Sequence, residues 1–480
     1  MTTHTFRILL AGCLLGAHAE VAAAATPRPN VLVIITDDQR WDALGCLGNR
    51  LLKTPNLDRL AAEGARFANA FVTTSLCSPS RATMLSGLYA HRHGVLNNFT
   101  EYPDTLPSYP KSLRRAGYET AYFGKWHMGE TNAAPRSGFD FWMSHAGQGR
   151  YFDNQWNING RREFIQGYYT TVITEHVVQW LQRRHEKPFL LILGQKAPHG
   201  GPIEPEPKYE RALDATPVGK PANYDAWRDG KPAWLAESWP TWHGAGGPPY
   251  NYRDYDKFVR AYYGTLLSVD DSVGRIYAAL KATSQLDRTV IIFTSDNGFA
   301  LGEHGRVDKR TMYEESIRVP LLVRYPPLIP PATVIHEMVL NLDLAPSVLD
   351  LCDANSLKHI DGRSWKPLLA GKTRGWRGSW LYFYNYESEF PYTPNVRGVR
   401  TDAWKYVRYP QGDGSPDRHK AELYDLIADP LETRNLISEP SAADQLQKLQ
   451  KEFCRLMRKH QAVPDRLPVD GGIRADLPRF

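Results

Sequence analysis

Four apolar runs, each breaking off into charged or polar residues, organise this chain. After Asn30 comes Val31-Leu32-Val33-Ile34-Ile35, which stops at Thr36-Asp37-Asp38. Continuous, β-branched apolarity of this kind predicts a strand buried on both faces. Residues 120–123 run into Gly124-Lys125-Trp126-His127, and residues 189–193 into Gly194-Gln195-Lys196-Ala197-Pro198-His199. Residues 290–293 run into Thr294-Ser295-Asp296-Asn297-Gly298. Helical periods lie between these runs. Thr54-Pro55 opens one that carries Leu57, Leu60 and Ala61 and closes near Gly64. A second carries Ile173, Val177, Trp180 and Leu181, and a long third runs from Phe258 through Tyr262, Leu266, Val269, Val273 and Ile276 to Leu280. Strands alternating with helices predict an α/β fold whose mostly parallel central sheet is sandwiched by helices. Parallel strands present their carboxyl ends at one edge, where open α/β sheets bind ligands. That edge would receive Asp37, Asp38, Lys125, His127, His199, Asp296 and Asn297. Polar turn residues commonly follow a strand, so one run alone would say little; four together point to a site.

Near residue 371 the pattern changes. Residues 380–384, 396–400 and 404–408 read as short strands with a hairpin turn at Thr401-Asp402, residues 423–426 add a fourth, and Leu446, Leu449, Phe453 and Leu456 line one side of a helix. The expected division is a catalytic domain over residues 26–370 and a smaller C-terminal unit of antiparallel sheet plus helix over 371–480. Within the first, residues 202–252 are irregular, rich in Pro and Gly, and carry Trp227, Trp234, Trp239, Trp242 and Tyr250. An insertion of that length reads as a lid or binding wall. Its rings have two readings, stacking on sugar faces or packing the insertion against the domain.

Composition adds bounds. A chain of 480 residues that is 42% apolar buries a large core. Lys plus Arg number 58 against 52 Asp plus Glu, a formal charge of +6 without long single-sign blocks, which accommodates anionic substrates without indicating nucleic acid. The first 25 residues read as an export signal: Arg7, an apolar run from Ile8 to Gly16, then small residues. A periplasmic or secreted location is expected. Leu10-Ala11-Gly12-Cys13 also resembles a lipoprotein cleavage box, the alternative in which Cys13 anchors the chain. No run reaches the roughly 20 residues of a membrane-spanning helix. Of five cysteines, Cys46, Cys77, Cys352 and Cys454 survive signal removal, enough for one bridge but not a disulfide framework.

The chemistry centres on Cys77-Ser78-Pro79-Ser80-Arg81. Ser78 suits an N-cap, Pro79 the first helical position, and Ala82, Met84 and Leu85 continue to Gly87, so a helix is predicted to begin just after Cys77. Its free N–H groups would favour an anion beside the sulfur, and Arg81, one turn in, adds a planar donor fork. A lone cysteine here would be an inert buried thiol. Asp37, Asp38, Asp296 and Asn297 offer only oxygen ligands, which suits calcium, or magnesium in a tighter cage; no His/Cys cluster has zinc spacing.

Cys77-Ser78-Pro79-Ser80-Arg81 with Leu85-Ser86-Gly87, and then residues 117–127 ending in Gly124-Lys125-Trp126-His127, resemble the paired signature of the type I sulfatases of the alkaline phosphatase-like superfamily. The resemblance implies that Cys77 is oxidised to formylglycine by a formylglycine-generating or anaerobic sulfatase-maturating enzyme. It further implies that Asp37, Asp38, Asp296 and Asn297, with residue 77, hold calcium, and that Arg81 and Lys125 hold the hydrate and sulfate oxygens. His127 would take a proton from the hydrate, His199 would protonate the departing alcohol, and Lys309 would be a second sulfate-binding lysine. In the cycle that the resemblance implies, one hydroxyl of the hydrate would attack sulfur and release the alcohol, and the other would collapse to the aldehyde and expel sulfate. Residues 312–320, 423–426 and 429–436 are most similar to bacterial N-acetylglucosamine-6-sulfatase-like and arylsulfatase A-like enzymes, which implies a sulfated saccharide substrate. His91, His93, Asn97, Trp239 and Trp242 are candidates for its mouth. Two rivals stand: a phosphonate or phosphodiester hydrolase of the same superfamily, and an inactive secreted polysaccharide-binding protein.

Overall fold

The computed structural model describes residues 28–248, 252–410 and 419–467. The export segment with Cys13, and Tyr250 of the insertion, lie outside the described residues.

Among the described residues, twelve strands build two sheets in the first 340 residues: β1 (Asn30–Asp37), β2 (Ala65–Phe67), β3 (Ala70–Phe71), β4 (Glu119–Gly124), β5 (Phe141–Ser144), β6 (Phe152–Ile158), β7 (Arg161–Tyr168), β8 (Phe189–Pro198), β9 (Thr289–Ser295), β10 (Leu321–Arg324), β11 (Thr333–Ile335) and a short β12 (Val339–Leu340) that pairs with β3. The other ten form one sheet in the order β11-β2-β10-β9-β1-β8-β4-β5-β6-β7. The block β9-β1-β8-β4-β5 is parallel throughout, and antiparallel partners flank it. The α/β fold expected from the alternating pattern is therefore present.

Burial explains why β1 reads as one apolar run. Leu32 and Ile34 point into a core shared with the helices Tyr169–Leu181 and Tyr255–Ala282. Val31, Val33 and Ile35 point into a second core, shared with the helices Cys77–Ser86 and Leu344–Leu351. Both faces are dry, so period-two alternation is lost. The four expected strands are β1, β4, β8 and β9. β8 extends five residues beyond the apolar run, through Pro198, because Gly194 to Pro198 continue along β1, with a register shift between Ile35 and Asp37.

Four further strands, β13 (Ser379–Tyr384), β14 (Val396–Thr401), β15 (Trp404–Arg408) and β16 (Glu422–Asp425), form an antiparallel sheet in that order. The helix Ala443–Lys459 covers it through Leu449, Phe453 and Leu456. Their core also takes Phe71, Leu76, Met312 and Ile317 from the segments around the large sheet's carboxyl edge. Phe383 of β13 donates its N–H to the Thr73 carbonyl at 2.9 Å, and the Tyr382 hydroxyl is hydrogen-bonded to Ser75, two residues before Cys77. The second sheet is thus built onto the frame of the site.

The insertion holds one short helix, Ala233–Ser238, among turns. Trp234 is fully buried against Tyr409 and beneath the Arg306 guanidinium. Trp227 and Trp239 stack at 5.4 Å. Cys46, Cys77, Cys352 and Cys454 are all free, so the one bridge that the count allowed is not formed among the described residues. No described helix is long and apolar enough to cross a membrane.

Candidate active site

The carboxyl edge of the parallel block delivers its polar residues to one place. Asp37 ends β1, and Asp38 follows with φ 68°, a left-handed backbone that a non-glycine residue adopts only when its surroundings impose it. Tyr262 on the long helix donates its hydroxyl to the Asp38 carbonyl at 2.6 Å, and the Asp38 N–H reaches Asp296 Oδ1 at 3.1 Å. Asn297 Nδ2 donates to Asp38 Oδ1 at 2.6 Å. β1 and β9 are thereby tied together just beyond their last ladder pairs.

Cys77 is the first residue of the helix Cys77–Ser86, not the residue before it. Leu76 is the N-cap, and Ser78 does not cap: its hydroxyl donates to the His127 carbonyl, while its N–H is taken by Asn98 Oδ1 at 3.1 Å. The helix therefore starts two residues earlier than expected, because Asn98, from another loop, supplies the acceptor that a local serine would otherwise provide. Gly87, φ 71°, ends it in the expected left-handed cap.

The Cys77 thiol lies 3.4 Å from Asp37 Oδ1 and receives the Lys309 ammonium at 2.8 Å; the same ammonium sits 2.6 Å from Asp38 Oδ1. Arg81 spreads its fork over three acceptors: Nε to Asp296 Oδ2 at 2.8 Å, one Nη to Asp37 Oδ2 at 2.9 Å, and the other to the Lys125 carbonyl at 2.7 Å. Lys125 pairs with Asp37 and also reaches Gln148. His127, at φ 44°, places Nε2 at 2.9 Å from Glu130. His199 Nε2 stands 3.8 Å from Asp38 Oδ2 and 4.0 Å from Asp37 Oδ1. Every residue that the motifs nominated for the centre, from Asp37 to Lys309, is gathered here.

Electrostatics follow from burying so many charges together. Burial would raise the Asp37 carboxyl, yet the Lys125, Arg81 and Lys309 charges hold it well below the carboxylate range. Asp296 is pushed up to about 7 by burial and by the Asp37 charge, and Asp38 is raised by the same two causes against Lys309. Burial and Asp37 push the Cys77 thiol well up. His127 and His199 are held neutral, first by burial and then by the Lys125 charge.

Ligand atoms of Asp37, Asp38, Cys77 and Asp296 all lie within 4.8 Å of one another. Asp38 Oδ2 and Asn297 Oδ1 are buried with no hydrogen-bond donor. Orphaned buried oxygens are costly unless something cationic meets them, so the donor set fits a hard, oxygen-preferring cation.

Other expected positions fall elsewhere. His93 is buried against the helix Cys77–Ser86, with Nε2 3.0 Å from Thr83 Oγ1 and Nδ1 accepting from Val95 N. His91 binds the His460 carbonyl at 2.8 Å, against the C-terminal helix. Both sit past Gly87, at the far end of the helix from Cys77, because a rigid helix separates residues that are close in sequence. Asn97 closes a turn by accepting from Phe99 N and Thr100 N. Trp239, half-buried, stacks on Trp227 and lies so close over Gly246 that a Cβ there would fall 2.3 Å from the ring. Trp242 is half-buried in the same insertion. The sequence reading missed Asn98, Glu130, Gln148 and Tyr262. Glu130, three residues after His127, was the one with a local signal.

The sulfatase family model matches residues 29–354, and the C-terminal model of N-sulphoglucosamine sulphohydrolase matches residues 302–459. The chain belongs to the sulfatase family. An N-acetylglucosamine-6-O-sulfatase of Bacteroides thetaiotaomicron is 31% identical over 95% of this chain and 90% of its own length. The human N-acetylglucosamine-6-sulfatase is 33% identical over 79% of this chain and 71% of its own. Among solved structures, one described as a complex with its substrate D-glucosamine-2-N,6-O-disulfate superposes with a TM-score of 0.84 at 29% identity, over 91% of this chain and 99% of that one. A metal ion and a formylglycine are general to this family. The buried carboxylate cluster of this chain has oxygen donors of the kind such an ion takes.

Proposed function

We propose that this chain hydrolyses sulfate esters of saccharides, with 6-O-sulfated N-acetylglucosamine or a closely related glycan as substrate, using formylglycine at position 77 and one calcium ion. The observation that carries this reading is the position of the Cys77 side chain: at a helix N-terminus, 3.4 Å from Asp37 and 2.8 Å from Lys309. The relatives named for N-acetylglucosamine 6-sulfate support the substrate class.

A sulfate ester carries a negative charge that repels nucleophiles, so the site must first neutralise it. Lys125, Lys309 and Arg81 are fixed cations, and the first-turn N–H groups of the helix add partial positive charge. Asp37, Asp38, Asp296 and Asn297 would hold the calcium ion, which would supply Lewis-acid charge neutralisation at the sulfate oxygens. A formylglycine hydrate would supply two hydroxyls at the place of the thiol. His127, held neutral, is ready to accept a proton from a hydroxyl at residue 77. His199 is kept neutral at rest by burial and by the Lys125 and Lys309 charges; a bound sulfate offsets those charges, raises its affinity for a proton, and lets it serve the departing alcohol. Export belongs to the same reading, supported by Arg7 and the apolar run that follows it, and formylglycine at position 77 requires a maturating enzyme.

Peptide mass analysis across residue 77, joined to a panel of sulfated saccharides and a parallel aryl phosphonate ester, tests the proposal. Cys77→Ala is expected to abolish sulfate release while calcium binding, measured by calorimetry, is largely retained. Near-normal turnover in that variant, or preference for the phosphonate ester, overturns it.

A further inference from the structure

Beside the frame that holds Cys77 lies an exposed aromatic pair that the chemistry at Cys77 does not use. Phe99 and Phe390 are 40% and 38% exposed, and their rings lie nearly parallel, 11° apart with centroids at 6.4 Å. Most exposed apolar side chains on a protein are scattered and mean little; an adjacent pair of parallel aromatic rings is different. Both rings are anchored to the catalytic frame. Phe99 follows Asn98, whose side chain takes the Ser78 N–H, and its own N–H is fixed by Asn97 at 3.1 Å. Phe390 lies under the guanidinium of Arg310, next in sequence to Lys309, at 5.1 Å. Glu387 closes the frame, accepting from Arg310 Nε at 2.7 Å and from Asn98 N at 3.5 Å. Behind Phe390 the His243 ring continues the same orientation, 14° from parallel at 6.1 Å.

We propose that Phe99 and Phe390 form a stacking platform for a second pyranose ring of the substrate, the sugar linked to the one that carries the scissile sulfate. The inference rests on the reading of the chain as a saccharide sulfatase and adds a preference for oligosaccharides over monosaccharides. A pyranose presents C–H groups on one face and hydroxyls at its edge. A flat aromatic pair accepts the first while the rim stays wet for the second. The platform is held by buried polar side chains rather than by loop packing, so it stands preformed and binding pays little ordering entropy.

The test uses the full-length, formylglycine-bearing enzyme with N-acetylglucosamine 6-sulfate and a tetrasaccharide ending in the same sulfated residue. The variants are Phe99→Ala, Phe390→Ala, the double variant, and Phe390→Trp. The double variant is expected to raise KM for the tetrasaccharide about tenfold with kcat within about twofold, and to leave monosaccharide kinetics within about twofold. Phe390→Trp should retain the tetrasaccharide KM. Unchanged KM for both substrates, or equal losses on both, overturns the platform and leaves the sulfatase reading standing. No sulfate release from either substrate or from an aryl sulfate, with residue 77 demonstrably converted, overturns that reading and the platform with it.

Discussion

Arg81 shows how much one side chain organises. Its three donors bind Asp296, Asp37 and the Lys125 carbonyl, so β9, β1 and β4 are locked at their carboxyl ends by a single planar group. A lysine keeps the charge but cannot make the fork. Arg81→Lys is expected to slow sulfate release about a hundredfold, the scale of losing one oriented donor at a charged centre, and to lower the thermal midpoint in calorimetry. Outside the centre, Glu315 is a second informative residue. It is buried, with Oε1 3.3 Å from Asn223 Nδ2 and Oε2 without a hydrogen-bond partner. Burial, then Glu303 and Glu432, push its carboxyl up to about 8. The folded state therefore holds a proton between about pH 4.5 and 8 that the unfolded state has released, and its contribution to stability falls as pH rises through that window. Glu315→Gln removes this slope. Denaturant melts at pH 5 and pH 8 should show the variant gaining on the parent as pH rises; parallel curves would show that Glu315 does not titrate there.

Among elements, β4 and β8 approach most closely where the site needs them. Gly124 ends β4 with φ 91°, and a Cβ there would fall 2.0 Å from the Gly194 carbonyl oxygen of β8. That close approach lets Lys125 N donate to the same carbonyl at 2.8 Å and sends Lys125 and His127 over the cleft. Gly124→Ala is expected to cost about 2 kcal/mol or more in chemical denaturation and to impair activity beyond that loss. The same strands show what was legible. Runs buried on both faces, β1, β8 and β9, are apolar throughout and announce themselves. β7, Arg161–Tyr168, is mostly exposed and polar, and β2 and β10 are short edge-side partners. Pairing across the sheet makes them strands, and no local pattern carries that information.

At the scale of the molecule, the two sheets share a core, and charges cross between them. Arg400 Nε meets Glu314 at 2.9 Å, and Lys405 meets Glu314 at 2.9 Å and Glu432 at 2.6 Å, all with little exposure. Glu314 belongs to the segment that follows Lys309. Ending the chain at residue 370 would strip the cover from Phe71, Leu76 and Ile317 and leave Glu314 buried or exposed without its cations. The truncated chain is expected to be insoluble or to bind a hydrophobic dye strongly. A soluble, cooperatively melting product would show that the first sheet folds independently.

The sequence by itself determined the parallel block and its chemistry. A strand dry on both faces must be apolar along its whole length, and the polar residues that end it must then meet at one edge. The tertiary structure decided what lies far apart in the chain. Asn98 accepts the Ser78 N–H at the helix start; Tyr262 and Gln148 brace Asp38 and Lys125; Trp234 is buried against Tyr409 and Trp227 stacks on Trp239; and His91 and His93 lie past Gly87, at the far end of the helix from Cys77. Each of these depends on where separate segments come to rest against one another, and periodicity, which records only whether a position is dry or wet, cannot carry that.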